Sequence, residues 1–477
     1  MKNILSILLV LSFCLLSVSC ATMGKDPILT VTSTSATTAT QAPLKDATLK
    51  AGFAERDFTP EGGQIPGCTL EVVVGVEVPL LANAAAFEMG EASLILISMD
   101  ILSFKPKFCN EMRARITEAT GVPAENIMIT ATHTHTGIAL DYQLYLCPPN
   151  EEQSGHAADM AVEAAVEAWN NRKDASLGTG ETYNDTFNFC REWFTESGDV
   201  KTWSLGTEPI SKVDHSVNIV RVNDGEGALK CLIVNYANHP DTYTSKIKYS
   251  ADYPGYMREA LKAKYGEDVV VLYFNGCEGD VNYVDYKDKT HYEYHGSGKN
   301  TAKIIGETIA RDVIKIANKI KTTNTPTIKS ISNTYAAPQR TLSKEDYDWA
   351  TSAIKYMAPS GLDYAFALEY TTEDYSDLGE TFDIEIQTIV LGDFSIVGLP
   401  SEIFSEIGLK IKAASPYENT MVVGLANGTH GYIAPDFVQG TSSYVARFSK
   451  YNACAGVGTA DILINNSVAQ LKQMKNG

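Results

Sequence analysis

At 477 residues, with 44% hydrophobic and 20% charged side chains, the chain is long enough to bury a large core and is ordinary for a folded globular protein. Its net charge of −19 and isoelectric point near 4.9 argue against nucleic acid or an anionic membrane surface as partner. The acidity is spread along the chain rather than gathered in a tail, so it names no substrate.

The N-terminus reads as an export signal. Lys2 opens a short positive region, residues 4–19 (ILSILLVLSFCLLSVS) run apolar and small, and Cys20 follows. The end of this run resembles a bacterial lipoprotein signal, in which Cys20 becomes the lipidated first residue. Ser17 stands where such signals commonly carry Leu, so plain secretion is the alternative. The expected location is the periplasm or an outer membrane, with contact to the bilayer through the lipid anchor alone. Residues 21–48 are a Thr/Ser/Ala-rich tether without apolar periodicity. Beyond Cys14 and Cys20 an odd number of cysteines remains (Cys68, Cys109, Cys147, Cys190, Cys231, Cys277, Cys454), with no CxxC and no Cys/His cluster at metal-binding spacing. They are expected to be buried small hydrophobes without chemistry.

From residue 49 to the end the pattern predicts one α/β domain with loop decorations. AGFAERDFTP (51–60) reads as a first strand, and ASLILISMDIL (92–102) as a buried strand ending at Asp100. Arg113–Thr120 looks helical, closed by Gly121 and Pro123. Next comes NIMITATHTHTGI (126–138), a β-branched run that breaks into His133, Thr134, His135, Thr136 and Gly137. Extended backbone would place His133 and His135 on one face. A helix follows around Ala157–Trp169. Residues 178–215 look irregular, with NFCREW in their midst. VNIVRV and LKCLIVNYANHP predict a β-hairpin across 224–227 that runs into His239. SADYPG opens a helix with Pro254 in its first turn, VVVLYFNGCEGDVN is a buried strand breaking into a Gly-rich loop, and 300–320 is a long amphipathic helix. Residues 325–380 read as a polar excursion with a helix near Lys344–Met357. The chain then returns to strands and loops: IEIQTIVLG, FSIVGLPSEIF and MVVGLANGTHGYIAP. Alternating strands and helices predict a mixed, largely parallel sheet with helices on both faces.

Several apolar runs end in polar loops carrying His or carboxylate residues, which are zinc-ligand types, although loop formers explain most such residues. The separations are too long for a local motif such as HExxH. THTHTG (132–137), NHP (238–240), SADYPG (250–255), GCEGDVN (276–282), LPSEIF (399–404) and GLANGTHGY (424–432) stand in the order seen in neutral/alkaline non-lysosomal ceramidases. Over residues 50–440 the chain resembles that family. The resemblance implies a zinc-dependent amidohydrolase domain in which His133, His239, Glu402 and Tyr432 serve the metal, and His135 and Arg191 contact the scissile carbonyl. Zinc would bring a bound water to a pKa of about 7, supplying hydroxide at neutral pH. His135 and Arg191 would donate to the carbonyl oxygen as charge builds on it. Tyr432 is either a weak fourth ligand or a donor to the tetrahedral intermediate.

The chain departs from the family at Asn282, which stands where authentic neutral ceramidases carry a serine. An amide is no covalent nucleophile, so the expected route is zinc-hydroxide attack, with Asn282 donating a hydrogen bond. The chain also closes near the end of the catalytic domain, without the family's C-terminal immunoglobulin-like domain, so the expected substrate is an acylated lipid, glycolipid or glycan with an amide or ester bond rather than ceramide in particular. Asp100, Asp252 and Asp280 are candidates for orienting the histidines or for accepting the water's proton, with turn formation or helix capping as the plainer alternative. A lipid- or glycan-binding lipoprotein without catalysis and a metallopeptidase remain as alternatives. His156, His215, His291 and His295 read as ordinary surface or loop residues.

Overall fold

The computed structural model describes residues 47–62, 72–140, 149–243, 247–288 and 299–476. The export signal, Cys20, nearly all of the tether, Cys68, Cys147, His291 and His295 lie outside them.

Eight strands form the main sheet. In chain order they are β1 (Lys50–Asp57), β2 (Leu81–Met89), β3 (Ala92–Met99), β4 (Ile127–Ala131), β5 (Lys173–Tyr183), β6 (Ser216–Asp224), β7 (Leu229–Tyr236) and β8 (Val270–Asn275), in the spatial order β8-β7-β6-β5-β1-β2-β3-β4. The sheet is mixed, but only the outer pairs β3/β4 and β7/β8 are parallel; the interior is antiparallel. The parallel share is thus smaller than the strand–helix alternation suggested. Short turns between β2 and β3 and between β6 and β7 need no helical crossover, and hairpins of that kind are antiparallel by construction.

The two four-stranded halves share only two register partners, Lys50↔Asp174 and Ala51↔Lys173. They nevertheless meet again at their far ends. Ser98 Oγ on β3 donates to the Tyr273 carbonyl on β8, and Asn275 Nδ2 donates to the Thr132 carbonyl just beyond β4. The carboxyl ends of β4, β7 and β8 therefore discharge their loops into one place.

Alternation along the strands explains the layering. Ile95, Ile97 and Met99 face one side with α1 (Pro106–Thr120), α2 (Glu151–Asn170), α3 (Asp252–Tyr265) and α4 (Lys299–Ala317). Leu94 and Leu96 face the other, where helices were expected. That face is covered by a second sheet instead: β9 (Ile328–Pro338), β10 (Thr381–Leu391), β11 (Phe394–Gly398) and β12 (Asn419–Val423). Strands buried on both faces read as continuous apolar runs whether the cover is helix or sheet, so the sequence pattern did not separate the two. Between β9 and β10 come α5 (Lys344–Ala353) and α6 (Leu362–Thr372), which have a small core of their own around Phe366, Tyr370 and Phe448. The outer face of the second sheet packs on α7 (Ser405–Ala414) and α8 (Thr459–Asn476). The order is helices, sheet, sheet, helices.

Among the described residues no helix is long and apolar enough to cross a membrane. Cys109, Cys190, Cys231, Cys277 and Cys454 are buried and unpaired, as expected of small hydrophobes.

Candidate metal centre

The site is built by loops at the carboxyl ends of β4, β7 and β8, with a lid from the second sheet. β4 ends at Ala131, so His133 and His135 converge through a turn rather than by strand alternation. His133 adopts φ 72, a left-handed conformation that costs a non-glycine residue and is held by its surroundings. Its N–H donates to the Ile101 carbonyl at 3.0 Å, and its Nδ1–H to the Leu102 carbonyl at 2.8 Å. His239 follows β7 and donates from Nδ1 to the Glu278 carbonyl at 2.9 Å. In both rings the backbone bond fixes the tautomer and leaves the Nε2 lone pair facing inward. Glu402 reaches the same point from Glu402–Ile403, a short segment paired in parallel with Tyr432–Ile433, so that Glu402 and Tyr432 are register partners. Its carboxylate is nearly buried, not the exposed helix-start group that an isolated glutamate near 403–411 would be.

Glu402 Oε2 lies 3.2 Å from His133 Nε2 and 3.3 Å from His239 Nε2. With the Nδ1 protons committed to backbone carbonyls, three Nε2 and carboxylate acceptors at such distances repel one another unless a cation or a proton sits among them. Ligand atoms of tetrahedral zinc, bonded at 2.0–2.1 Å, are roughly 3.3–3.4 Å apart, so the donor set fits a divalent ion. In the metal-free site a proton on His133 takes the place of the ion. Burial opposes protonation of His133, but the Glu402 carboxylate overrides it and holds His133 up at about 9. Burial, aided by the Arg191 charge, holds His239 down at about 4. Glu402 is itself buried, yet the facing histidines keep it well below the usual carboxylate range.

Three further residues line the point. His135 Nε2 is 3.3 Å from His133 Nε2, and its Nδ1 lies 3.8 Å from Asp241 Oδ1. Its side chain is 27% exposed where those of His133, His239 and Glu402 are 2%, 0% and 4%, so His135 stands at the mouth. Arg191 is buried, with Nη1 3.4 Å from His239 Nε2 and Nη2 donating to Tyr432 Oη at 3.0 Å and to the Gly279 carbonyl at 2.9 Å. Burial keeps the Tyr432 phenol protonated, and Glu402 adds to that. Beside Arg191 and Tyr432 opens a cavity of about 310 Å3 lined by Trp203, Tyr444, Leu362, Lys201 and Arg447. The Trp203 ring lies 5.7 Å from the Arg191 guanidinium carbon and 5.1 Å from the Tyr444 ring.

The remaining candidates hold the scaffold. Asp100 is paired with Arg258 at 2.8 Å and accepts the Leu81 N–H, joining the end of β3 to α3. Asp252 is the first residue of α3 at φ 54; its carboxylate accepts the Thr242 N–H and hydroxyl and so steadies the loop after His239. Asp280 accepts from Ser211 and from the Ser405 N–H, and its carbonyl accepts the Arg191 N–H. Asn282 pairs by its backbone with Phe189, and its Oδ1 accepts the Val284 N–H. His430 packs on Phe382, with ring centroids 4.6 Å apart. Sequence reasoning passed over Glu278, Asp241, Trp203 and Tyr444. Glu278 had a signal: it is a lone carboxylate between Cys277 and Gly279, straight after a buried strand.

No protein-family profile and no curated protein sequence matches the chain. Solved structures do. Neutral ceramidase from Pseudomonas aeruginosa aligns with a TM-score of 0.64 at 17% identity, over 90% of this chain and 75% of that one. A ceramidase complexed with C2 aligns with a TM-score of 0.65 at 15% identity, over 90% and 76%. The chain has the neutral ceramidase fold. The alignments cover 90% of this chain, and the motifs HTH, NHP, LPSEIF and GLAN…Y supply the side chains that meet at the candidate metal centre.

Proposed function

We propose that this chain is an exported zinc-dependent hydrolase that cleaves an amide or ester bond of an acylated lipid, glycolipid or glycan. The observation that carries the reading is the convergence of His133 Nε2, His239 Nε2 and Glu402 Oε2 at 3.2–3.3 Å with both histidine Nδ1 atoms committed to backbone carbonyls. Zinc bound there would supply Lewis acidity and a coordinated water with a pKa of about 7. His133, His239 and Glu402 hold the ion, and Tyr432 lies beside it. His135, the half-exposed member of the cluster, and Arg191, already aimed at Tyr432, supply donors for the carbonyl oxygen of the substrate. The cavity lined by Trp203, Tyr444, Lys201 and Arg447 receives the group that leaves or the acyl portion. Asn282 provides no nucleophile, so no acyl-enzyme forms at that position. Cys20 is proposed as the lipid anchor.

The test is turnover of N-acyl sphingoid, acyl-sugar, O-acyl ester and peptide substrates by purified protein, before and after chelation and with zinc restored. Hydrolysis of an acyl substrate that chelator abolishes and zinc recovers is the expected result. A zinc-loaded protein that turns over none of the four classes would overturn the assignment, and cleavage of peptide alone would replace it by metallopeptidase.

A further inference from the structure

One wall of the metal centre is made by Glu278, a residue that the ligand set above does not use. It lies in the Gly-rich loop after β8 and is completely buried. Neither of its carboxylate oxygens finds a hydrogen-bond partner among the described residues. Buried carboxylates are ordinarily paired, hydrogen-bonded or bound to metal, because an isolated one is expensive to remove from water. Glu278 is close to the candidate ligands: one of its oxygens, a ring nitrogen of His133 and a Glu402 oxygen all lie within 4.8 Å of one another. Room for it depends on Gly424, where a Cβ would stand 2.6 Å from Glu278 Oε2.

The clustered groups form two overlapping triads, His133–His135–His239 and His133–Glu278–Glu402. His133 can serve only one ion, because its Nδ1 is committed to the Leu102 carbonyl. The two triads therefore surround a single cation position, with His135 on the solvent side and Glu278 on the interior side. Resting on the metal-centre reading above, we propose that Glu278 is an additional carboxylate ligand of the ion held by His133, His239 and Glu402. The donor set becomes two neutral imidazoles and two carboxylates. Their two negative charges balance a divalent cation, which removes the mutual repulsion of Glu278 and Glu402 and the cost of burying either one alone. The Glu278 backbone already serves the centre by orienting His239, so one residue contributes both an orienting carbonyl and a ligand.

Zinc affinity by chelator competition and melting temperature with and without zinc, measured on wild type, Glu278→Gln and Glu278→Asp, test this. Wild type is expected to bind one zinc per chain. Glu278→Gln is expected to bind zinc at least about tenfold more weakly and to show a correspondingly smaller zinc-induced rise in melting temperature. Glu278→Asp keeps the carboxylate but shortens its reach, so it also weakens zinc. A Glu278→Gln protein with wild-type zinc affinity and an unchanged zinc-induced melting shift would overturn the proposal and leave the centre of His133, His239 and Glu402 standing. Failure of wild type to bind zinc would overturn the metal-centre reading and this proposal with it.

Discussion

Asp100 separates a structural from a catalytic carboxylate most cleanly. From sequence it was a candidate for accepting the water's proton; in the structure it is paired with Arg258, with side-chain exposures of 0% for Asp100 and 6% for Arg258. Removing one partner of a buried pair typically costs 3–5 kcal/mol, since the other charge is left buried and unpaired. Here burial pushes the Asp100 carboxyl up despite the facing guanidinium, which places the pair at the weak end of that range. In Asp100→Leu, Arg258 would keep only a 3.4 Å contact with the Pro79 carbonyl. A loss of about 3 kcal/mol follows. A folded body of roughly 400 residues has an unfolding entropy near 0.8 kcal/mol per kelvin, so the melting temperature should drop by about 4 °C. Calorimetry on zinc-loaded protein measures that shift, and Asp100→Leu/Arg258→Met should recover most of it. Hydrolysis per folded molecule should fall less than about tenfold, against the 10²-fold or more that losing a proton acceptor costs. An unchanged melting temperature, or full stability with activity lost, would refute the structural role.

Arg191→Met removes the donor to Tyr432 and the cation beside His239; kcat should fall about 10²- to 10³-fold with zinc content near wild type, and loss of zinc instead would reassign Arg191 to holding the centre. Gly279→Ala places a Cβ 2.6 Å from the Glu402 carbonyl, so it should displace Glu402 and weaken zinc affinity, read by chelator competition. For metal-free protein, burial holds Glu278 up at about 8 and Glu402 holds His133 up at about 9, so the folded state retains more protons than the unfolded chain and stability falls as pH rises towards 9. On the acid side burial holds His239 down at about 4 and His430 at about 3, so stability also falls as pH drops from 6.5 towards 3. Chemical denaturation across pH should show both arms, and saturating zinc should flatten the alkaline one; an alkaline arm insensitive to zinc would contradict the assignment of His133 and Glu278 to the ion.

Local sequence carried much of this. The runs before Asp100, His133, His239 and the GCEGDVN loop are buried strands ending where apolar continuity ended, and the helices at Lys299–Ala317 and Lys344–Ala353 follow their amphipathic stripes. The second sheet's role as cover was not legible, because Leu94 and Leu96 look the same whether they meet a helix or β10 and β11. Lys173–Tyr183 and Ile328–Pro338 were passed over as strands: their residues are largely half-exposed and polar, and long-range pairing rather than local pattern holds them extended. At the site, spacing alone did not unite His133 with His239; the order of the short motifs did. Glu278 escaped because its one local cue, a carboxylate in a glycine loop after a buried strand, fits an exposed loop glutamate equally well.

On the proposed function, His133, His239 and Glu402 hold one divalent ion. Elemental analysis of wild type, His239→Ala and Glu402→Gln, each exchanged into zinc and stripped of loosely bound metal, tests it most directly. About one zinc per wild-type chain and less than a tenth of that in either variant is expected, with all three folded by circular dichroism. Folded wild-type protein that retains no zinc, or variants that retain it in full, would contradict it.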